Sequence, residues 1–317
     1  MRNASTLVIC VFLSGMMAAC SGNSPMASPT IGANDDASAL PVTLAPGTSA
    51  IPTVVSTVPS STTPATATLD PDAWQSLPVV PTVDSNTKRI YEIGKQLSNN
   101  AHAFSILGDC LSLPNSLFIN YGKSSDHYNL GKYTYLQPAI DWFVDSFKRQ
   151  SISLGNGFNS AAVLSPLRAD PKQCQKDETP MACEYRVHRP SYALIALGTD
   201  DYKSSPAIYE QRMRQIIEYT IAKGIIPILR TKADNREGEN AFNKVLARLA
   251  YEYDVPLWNF WAAVQPLPYG LLDDQGHLDW ADPSHFEYAN SMDVAVPVYN
   301  LTALQTLDSL WRGVTAP

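Results

Sequence analysis

The stretch FSILGDCLS, residues 104–112, contains the turn on which the predicted fold depends. The residues from Phe104 to Leu107 form a short apolar run, which is typical of a buried strand. Gly108 and Asp109 end this run, because both residue types are depleted in strands and common in turns. The sequence therefore predicts a strand that turns sharply at Gly108 and places Cys110 directly after the turn.

Further apolar runs downstream have the same character as this first strand: residues 192–197, 225–229 and 255–260. Apolar residues also recur at helical spacing in four segments: 136–147, 205–224, 242–253 and 301–311. Strands that alternate with helices predict an α/β domain of three layers, with a mainly parallel sheet flanked by helices. Ligands bind such sheets outside the carboxyl ends of the strands.

Four short blocks of sequence resemble the blocks that mark the SGNH/GDSL ester hydrolases. In chain order they are residues 105–112, 157–162, 196–201 and 272–278. They occur in the family's order and on the matching elements, which makes the combination far more specific than any one block. The resemblance covers residues 100–312 and implies the flavodoxin-like fold of the SGNH hydrolases.

The resemblance also implies a role for each matching residue. Cys110 is the predicted nucleophile, His277 the general base, and Asp274 the carboxylate that orients the imidazole. The oxyanion hole is predicted to consist of the backbone N–H groups of Cys110 and Gly157, together with the side chain of Asp200.

Two of these residues depart from the family's pattern. Cys110 stands in place of serine, and a thiol can be ionised by a helix N-terminus and a neighbouring histidine. Asp200 stands in place of asparagine, whose side-chain N–H would stabilise the oxyanion. An ionised carboxylate only accepts hydrogen bonds, so Asp200 can donate only when it is protonated. Protonation would require a pKa raised by burial or by the nearby Asp109 and Asp201.

A second Asp-x-x-His pair leaves an alternative open for the general base. Asp282 and His285 have the same spacing as Asp274 and His277. The first pair is preferred because its flanking residues fit the family better, and the Asp-Pro at 282–283 is typical of a helix N-terminus.

The first 82 residues predict export and attachment to a membrane. An apolar run at residues 7–13 is too short to span a bilayer and leads to MAACSG at residues 17–22, which resembles a bacterial lipobox. We expect a signal peptide at 1–19, lipidation of Cys20, a disordered tether at 20–82 rich in Ser, Thr, Pro and Ala, and a hydrolase-like domain at 83–317. The domain would then face outside, held at the membrane by its lipid.

An oxidising compartment favours disulfides, and three cysteines remain after the predicted processing. Cys174 and Cys183 are close in sequence within a polar stretch and are predicted to pair. Cys110 is left over, which makes it a candidate for a reactive thiol.

The function predicted from these features is hydrolysis or transfer of an acyl ester through a cysteine nucleophile, on a small-molecule ester or an O-acylated glycan. One alternative is a non-catalytic binding module that keeps the cleft. Another is a metal site formed by Cys110, Asp200 and His277. The preferred mechanism needs no cofactor or metal, and the net charge of −7 argues against a nucleic-acid partner.

Overall fold

A computed structural model describes residues 70–273 and 275–316, and the centre of this part is a four-stranded sheet. All neighbouring strands are parallel, and their order in the sheet follows their order in the chain. The strands are β1 (Asn100–Gly108), β2 (Pro190–Ala196), β3 (Ile226–Arg230) and β4 (Leu257–Trp258). The prediction of a mainly parallel sheet flanked by helices is confirmed.

Helices lie before, between and after these strands. They are α1 (Ser85–Gln96), α2 (Gln137–Trp142), α3 (Val144–Phe147), α4 (Ser160–Val163), α5 (Pro180–His188), α6 (Pro206–Ala222), α7 (Ala241–Tyr253), α8 (Phe260–Val264) and α9 (Ala295–Thr315). Every residue of β2 and β3 is buried. Strands buried on both faces require cover on both sides of the sheet, which the helices supply.

Helix α6 begins and ends where the sequence predicts. The side chain of Ser205 accepts a hydrogen bond from the backbone N–H of Ile208, and Pro206 occupies the first helical position. Gly224 follows the helix with φ +65°, and a Cβ there would lie 2.5 Å from the backbone nitrogen of Gly94. Glycine at this position therefore both ends α6 and allows α1 to approach closely.

Two predicted elements are shorter than the apolar runs that predict them. The helix expected at 136–147 is divided into α2 and α3 at Phe143, whose backbone is not helical (φ −102°, ψ 14°). The last strand stops at Trp258, because the side chain of Asn259 accepts a hydrogen bond from Ala262 and starts α8.

A disulfide joins Cys174 to Cys183, which confirms the predicted pairing. Their Cα atoms lie 5.2 Å apart. The second cysteine lies on α5, which the side chain of Thr179 caps by accepting a hydrogen bond from Ala182. The polar stretch is thus closed onto a helix that the sequence analysis did not predict.

An isolated parallel bridge extends the sheet beyond β1. Gly108 N donates to Ser153 O at 3.2 Å, and Gly155 N donates to Gly108 O at 3.3 Å. The chain therefore runs along the edge of β1 that faces away from β2. This places the second sequence block, which begins at residue 157, close to the turn after β1.

Residues 70–82, which composition assigns to the tether, pack against the domain. Trp74 is only 4% exposed, and its ring centroid lies 4.9 Å from that of Trp261. The carbonyl oxygen of Trp74 accepts a hydrogen bond from Asn259 Nδ2 at 2.8 Å. Folded structure therefore begins before residue 83, because burial of a tryptophan anchors this segment.

The predicted signal peptide, Cys20 and the tether up to residue 69 lie outside the described residues. Within the part that is described, no helix has the length and apolar character needed to cross a membrane. Export and anchoring therefore stay predictions.

Candidate active site

A small cavity of about 30 Å³ lies at the carboxyl ends of the strands. Its lining comes from the segments after β1, β2 and β3 and from the loop before α9: Cys110, Leu111, Thr199, Asp200, Tyr202, Arg236, Gln275 and His277. The structure thus brings Cys110, Asp200 and His277 together at the edge of the sheet where ligands bind.

Cys110 lies on a tight turn that Asp109 holds together. Asp109 Oδ1 accepts a hydrogen bond from Leu111 N at 3.0 Å, and Asp109 O accepts one from Ser112 N at 3.1 Å. A Cβ on residue 108 would lie 2.9 Å from the Cβ of Ser112, so the turn requires glycine there. Cys110 is half-buried and is not part of the disulfide. The turn therefore fixes its side chain in the wall of the cavity.

After this turn the chain forms only a three-residue 3-10 segment, Cys110–Ser112. The helix macrodipole comes from many aligned peptide units, and so short a segment supplies little of it. A helix N-terminus is therefore a weak source of thiol activation here, which leaves the histidine as the main candidate.

Asp109 carries a fully buried carboxyl group beneath the turn. Burial raises its pKa to about 7, the charge of Asp200 acts in the same direction, and Arg230 opposes both. Asp109 Oδ2 has no hydrogen-bond partner among the described residues. The guanidinium of Arg230 is buried without hydrogen-bond partners as well, and packs against the rings of Phe260 and Tyr299. The base of the site thus holds a carboxyl group that changes charge near neutral pH.

His277 is held by Asp273, the residue just before the predicted partner. Its Nδ1 lies 2.7 Å from Asp273 Oδ2, and its backbone oxygen accepts a hydrogen bond from Leu272 N at 2.8 Å. Between them, Gly276 turns the chain with φ +83°. The predicted partner, Asp274, lies outside the described residues. With Nδ1 bound to a carboxylate, Nε2 is the nitrogen left to exchange a proton.

Asp200 is half-buried, and its Oδ2 has no hydrogen-bond partner in the described part of the chain. Burial raises its pKa, and the charges of Asp201 and Asp234 raise it further. The charges of Arg236 and His277 act in the opposite direction. Because its pKa is raised, a larger fraction of Asp200 is protonated at a given pH, and this fraction grows as pH falls. A protonated carboxyl group can donate a hydrogen bond to an oxyanion.

Gly157, predicted to donate its N–H to the oxyanion, does not line the cavity. It is exposed, has φ +67°, and has no atom within 4 Å of the place where a Cβ would be. Its oxyanion role stays a prediction.

The second and third sequence blocks are joined by Asp201. Ser160 N donates to both carboxylate oxygens of Asp201, at 3.1 and 3.0 Å, and the Ser160 hydroxyl also donates to it. Asn159 caps α4, and its Nδ2 donates to Asp200 O at 3.4 Å. Asp201 therefore positions the Asp200 segment against the loop that follows residue 157.

The alternative base pair is formed but lies elsewhere. His285 Nδ1 is 3.1 Å from Asp282 Oδ1, yet neither residue lines the cavity with Cys110. Asp282 Oδ1 also accepts hydrogen bonds from the backbone and hydroxyl of Ser284. The helix expected to start at this Asp-Pro is not present; the segment is a turn.

Arg236 and Tyr202 line the cavity but were not singled out from the sequence. The guanidinium carbon of Arg236 lies 3.5 Å from the centroid of the Tyr202 ring, and its Nη1 donates to Thr199 O at 3.4 Å. The signal that could have identified Arg236 is its place a few residues after β3, at the edge where the other site residues lie.

One group of potential metal ligands occurs among residues 70–273 and 275–316. It consists of Cys174, Glu178 and Cys183, whose ligand atoms lie within 4.8 Å of one another. Its two cysteines form the disulfide, so their sulfurs are not thiolate ligands. Cys110, Asp200 and His277 share a cavity but do not form a group of this kind.

A scan against protein-family models and a search of curated proteins found no match. Among solved structures, the chain is similar to AlinE4, an SGNH-hydrolase family esterase, with 21% identity, a TM-score of 0.34, and coverage of 52% of this chain and 80% of that one. It is similar to TesA with 19% identity, a TM-score of 0.41, and coverage of 66% and 99%. It is also similar to a GDSL-like lipase from Bacteroides thetaiotaomicron, with 15% identity, a TM-score of 0.35, and coverage of 69% of this chain and 97% of that one.

These solved structures include an SGNH-hydrolase family esterase and a GDSL-like lipase, the family that the four sequence blocks resemble. At these identities the similarity does not extend to the reaction. The class defined by fold and site is an α/β protein with a thiol, a histidine and a carboxyl group at the carboxyl edge of a parallel sheet.

Proposed function

We propose that the protein is an ester hydrolase or acyltransferase that uses Cys110 as its nucleophile. The observation that carries this proposal is the shared cavity of Cys110 and His277, with His277 Nδ1 held 2.7 Å from Asp273. A nucleophile, a base and a group that orients the base are the three parts required for acyl transfer. Lipid attachment through Cys20 would place this chemistry at the outer surface of a membrane.

In the proposed reaction, His277 Nε2 takes the thiol proton and the Cys110 sulfur attacks the ester carbonyl carbon. The tetrahedral intermediate collapses to a thioester as the bond to the alcohol oxygen breaks, and His277 returns its proton to that oxygen. Water, or an acceptor alcohol, then loses a proton to His277 and attacks the thioester. The sulfur leaves as thiolate and regains a proton, which restores the starting state.

Oxyanion stabilisation is the step in which this site differs from a serine esterase. The proposed donors are the N–H groups of Cys110 and Gly157, and Asp200 when it is protonated. Since burial raises the pKa of Asp200, its donor form becomes more populated as pH falls. Loss of one oxyanion donor typically costs about 10²- to 10³-fold in rate, so this requirement sets a low intrinsic activity.

An O-acylated glycan is one substrate that would suit an extracellular protein. Several tyrosines follow the nucleophile in the chain and could contact a glycan, but Tyr121 and Tyr128 are buried in the core. Tyr135 is exposed and remains available for such a contact. The proposal of a glycan substrate therefore rests on the predicted extracellular location more than on the structure.

The second candidate is a binding module that keeps the cleft without catalysis. Asp200 favours it, because a carboxylate in place of an amide repels an oxyanion whenever it is ionised. The two candidates differ in whether the thiol is activated by His277.

The test is the pH dependence of Cys110 alkylation by iodoacetamide. We expect the alkylation rate to reach half its maximum at a pH well below about 8.5, the pKa of cysteine in solution. In His277→Ala this midpoint should return towards about 8.5. Hydrolysis of p-nitrophenyl acetate should fall by about 10³-fold or more in both Cys110→Ala and His277→Ala.

His285→Ala is the matched control, because His285 is also paired with an aspartate but lies outside the cavity. It should change neither the alkylation profile nor the hydrolysis. A thiol that behaves like cysteine in solution, with hydrolysis insensitive to both site variants, would refute catalysis and leave the binding module.

A further inference from the structure

Arg236 lines a second and larger cavity as well as the one that contains Cys110. This second cavity has a volume of about 480 Å³ and is lined by Asp234, Asn235, Arg236, Leu271, Leu272 and Asp273. Arg236 is the residue common to both linings. A molecule that reacts at Cys110 and extends into the larger cavity has to pass this guanidinium.

Asp234 and Asp273, the carboxylates that line the larger cavity with Arg236, already have partners within the protein. Asp234 Oδ1 lies 2.7 Å from the buried ammonium of Lys232, which also contacts Glu237. Asp273 is bound to His277. These two carboxylates are therefore already engaged within the protein.

Arg236 differs from these groups. In the described residues, no carboxylate oxygen lies within 4 Å of its side-chain nitrogens. Its recorded side-chain contacts are the stacking on Tyr202 and one 3.4 Å hydrogen bond to Thr199 O. Asp200 lines the same small cavity as Arg236, whose charge opposes the rise of the Asp200 pKa. The guanidinium therefore lies against the ring, and most of its N–H donors have no partner in the part of the chain that the structure describes.

A guanidinium presents its donors as a planar fork, which matches the two oxygens of a carboxylate. Stacking on an aromatic ring occupies the face of the fork and leaves its edge accessible. The side chain is also partly buried, where a charge–charge contact is screened less than on an open surface.

We propose that Arg236 binds a carboxylate of the substrate, so that the ester attacked by Cys110 belongs to an anionic compound. The carboxylate lies on the acyl part or the alcohol part, a few atoms from the ester, and the remainder of the molecule extends into the larger cavity. This substrate class rests on the proposed function, but the anion preference of the site can be measured without any turnover.

The probe pair is iodoacetate and iodoacetamide, which have similar size and differ in charge. Both transfer a carbon to the Cys110 sulfur and release iodide, so they report the same thiol. The measured quantity is the ratio of the two alkylation rates, divided by the same ratio for the urea-unfolded protein. A net charge of −7 disfavours iodoacetate at an arbitrary site on this chain, which makes a preference for it informative.

We expect the ratio to favour iodoacetate in the wild type and to fall by about fivefold in Arg236→Gln, the scale of a partly exposed charge pair. Arg236→Lys should retain part of the preference, because it keeps the charge but loses the fork. A change in the reactivity of the thiol itself affects both reagents and cancels in the ratio. Both variants should still react with iodoacetamide at Cys110, which shows that the turn around this residue remains folded.

Lys203→Gln is the matched control. Lys203 Nζ lies 5.4 Å from the centroid of the same Tyr202 ring, but the residue is exposed and lines neither cavity. It should leave the ratio unchanged. An equal fall in Lys203→Gln, or no fall in Arg236→Gln, would overturn the proposal.

Ester substrates connect this result to the reaction. The 4-nitrophenyl monoester of succinate should be cleaved with a higher kcat/KM than its methyl-capped neutral counterpart, and Arg236→Gln should abolish the difference. If neither ester is cleaved while the alkylation ratio responds to Arg236→Gln, catalysis fails and the anion site stands. If both are cleaved equally well by wild type and variant, catalysis stands and the anion site fails.

Discussion

At the scale of single residues, the site is governed by carboxyl groups in different environments. Asp273 is partly exposed and its pKa is lowered by the hydrogen bond to His277, so it stays ionised and suits the role of orienting group. Asp109 is fully buried, and its pKa is raised to about 7. Asp200 lies between these extremes, half-buried with a raised pKa. One residue type thus provides a fixed charge, a group that titrates near neutral pH and a candidate oxyanion donor.

The first prediction at this scale concerns Asp109 and stability. Its pKa rises from an ordinary 3.8 to about 7 on folding, so the folded state binds more protons than the unfolded state between these values. Stability from this group is therefore lost as pH rises from about 4 to about 7. Asp109→Asn removes the titration and keeps an oxygen that can accept from Leu111 N. Relative to wild type, it should be stabilised by up to about 4 kcal/mol at pH 8 and little changed near pH 4.

Urea unfolding of wild type and Asp109→Asn at several pH values measures this difference directly. Because other titrating groups are common to both proteins, they cancel in the comparison. A difference that is constant with pH would show that the carboxyl group of Asp109 does not titrate in this range.

At the scale of elements, the turn at residues 271–278 decides which carboxylate serves the histidine. An antiparallel bridge joins Leu271 to Leu278, and Gly276 allows the chain to reverse between them. A Cβ on Gly276 would lie 2.8 Å from side-chain atoms of Asp234, so the turn is also fitted closely against the segment after β3. The geometry of this turn, rather than the spacing in a motif, places Asp273 on His277.

The prediction for this turn compares two neighbouring aspartates. Asp273→Asn should reduce p-nitrophenyl acetate hydrolysis on the order of 10³-fold, because an amide no longer favours the required tautomer and the imidazolium. Asp274→Asn should have a small effect, since Asp273 already holds Nδ1. The opposite order of effects in a kcat/KM measurement would assign the orienting role to Asp274, as the family resemblance implies.

At the scale of the whole molecule, the boundary of the folded unit differs from the one predicted by composition. Residues 70–82 are anchored by Trp74, which packs against Trp261 and α8. The segment is therefore part of the cover over the last strand, not only a connection to the N-terminal region.

The prediction at this scale concerns where the folded unit starts. A chain that begins at residue 83 should be less stable to urea than one that begins at residue 70. Trp74→Ala in the longer chain should account for most of the loss, about 3–5 kcal/mol. Leu77→Ala is the control, because Leu77 is 47% exposed and should change stability little. Equal midpoints for the two chains would show that the segment adds nothing to folding.

Most of the fold could be predicted because strands and helices leave local patterns. Apolar runs marked β1, β2 and β3, and apolar residues at helical spacing marked α6. Elements whose limits depend on distant contacts were predicted less well. The last strand ends early because Asn259 caps a helix, and α5 was missed because its apolar pattern is weak.

The sequence by itself determined the architecture, the disulfide and the candidacy of Cys110, Asp200 and His277, because each depends on local pattern or on motif order. Only the tertiary structure decided that Asp273 contacts His277, that Gly157 lies outside the cavity, and that Arg236 lines it. These three facts depend on how loops from different strands meet at one edge of the sheet. Such contacts join residues far apart in the chain, and no local pattern records them.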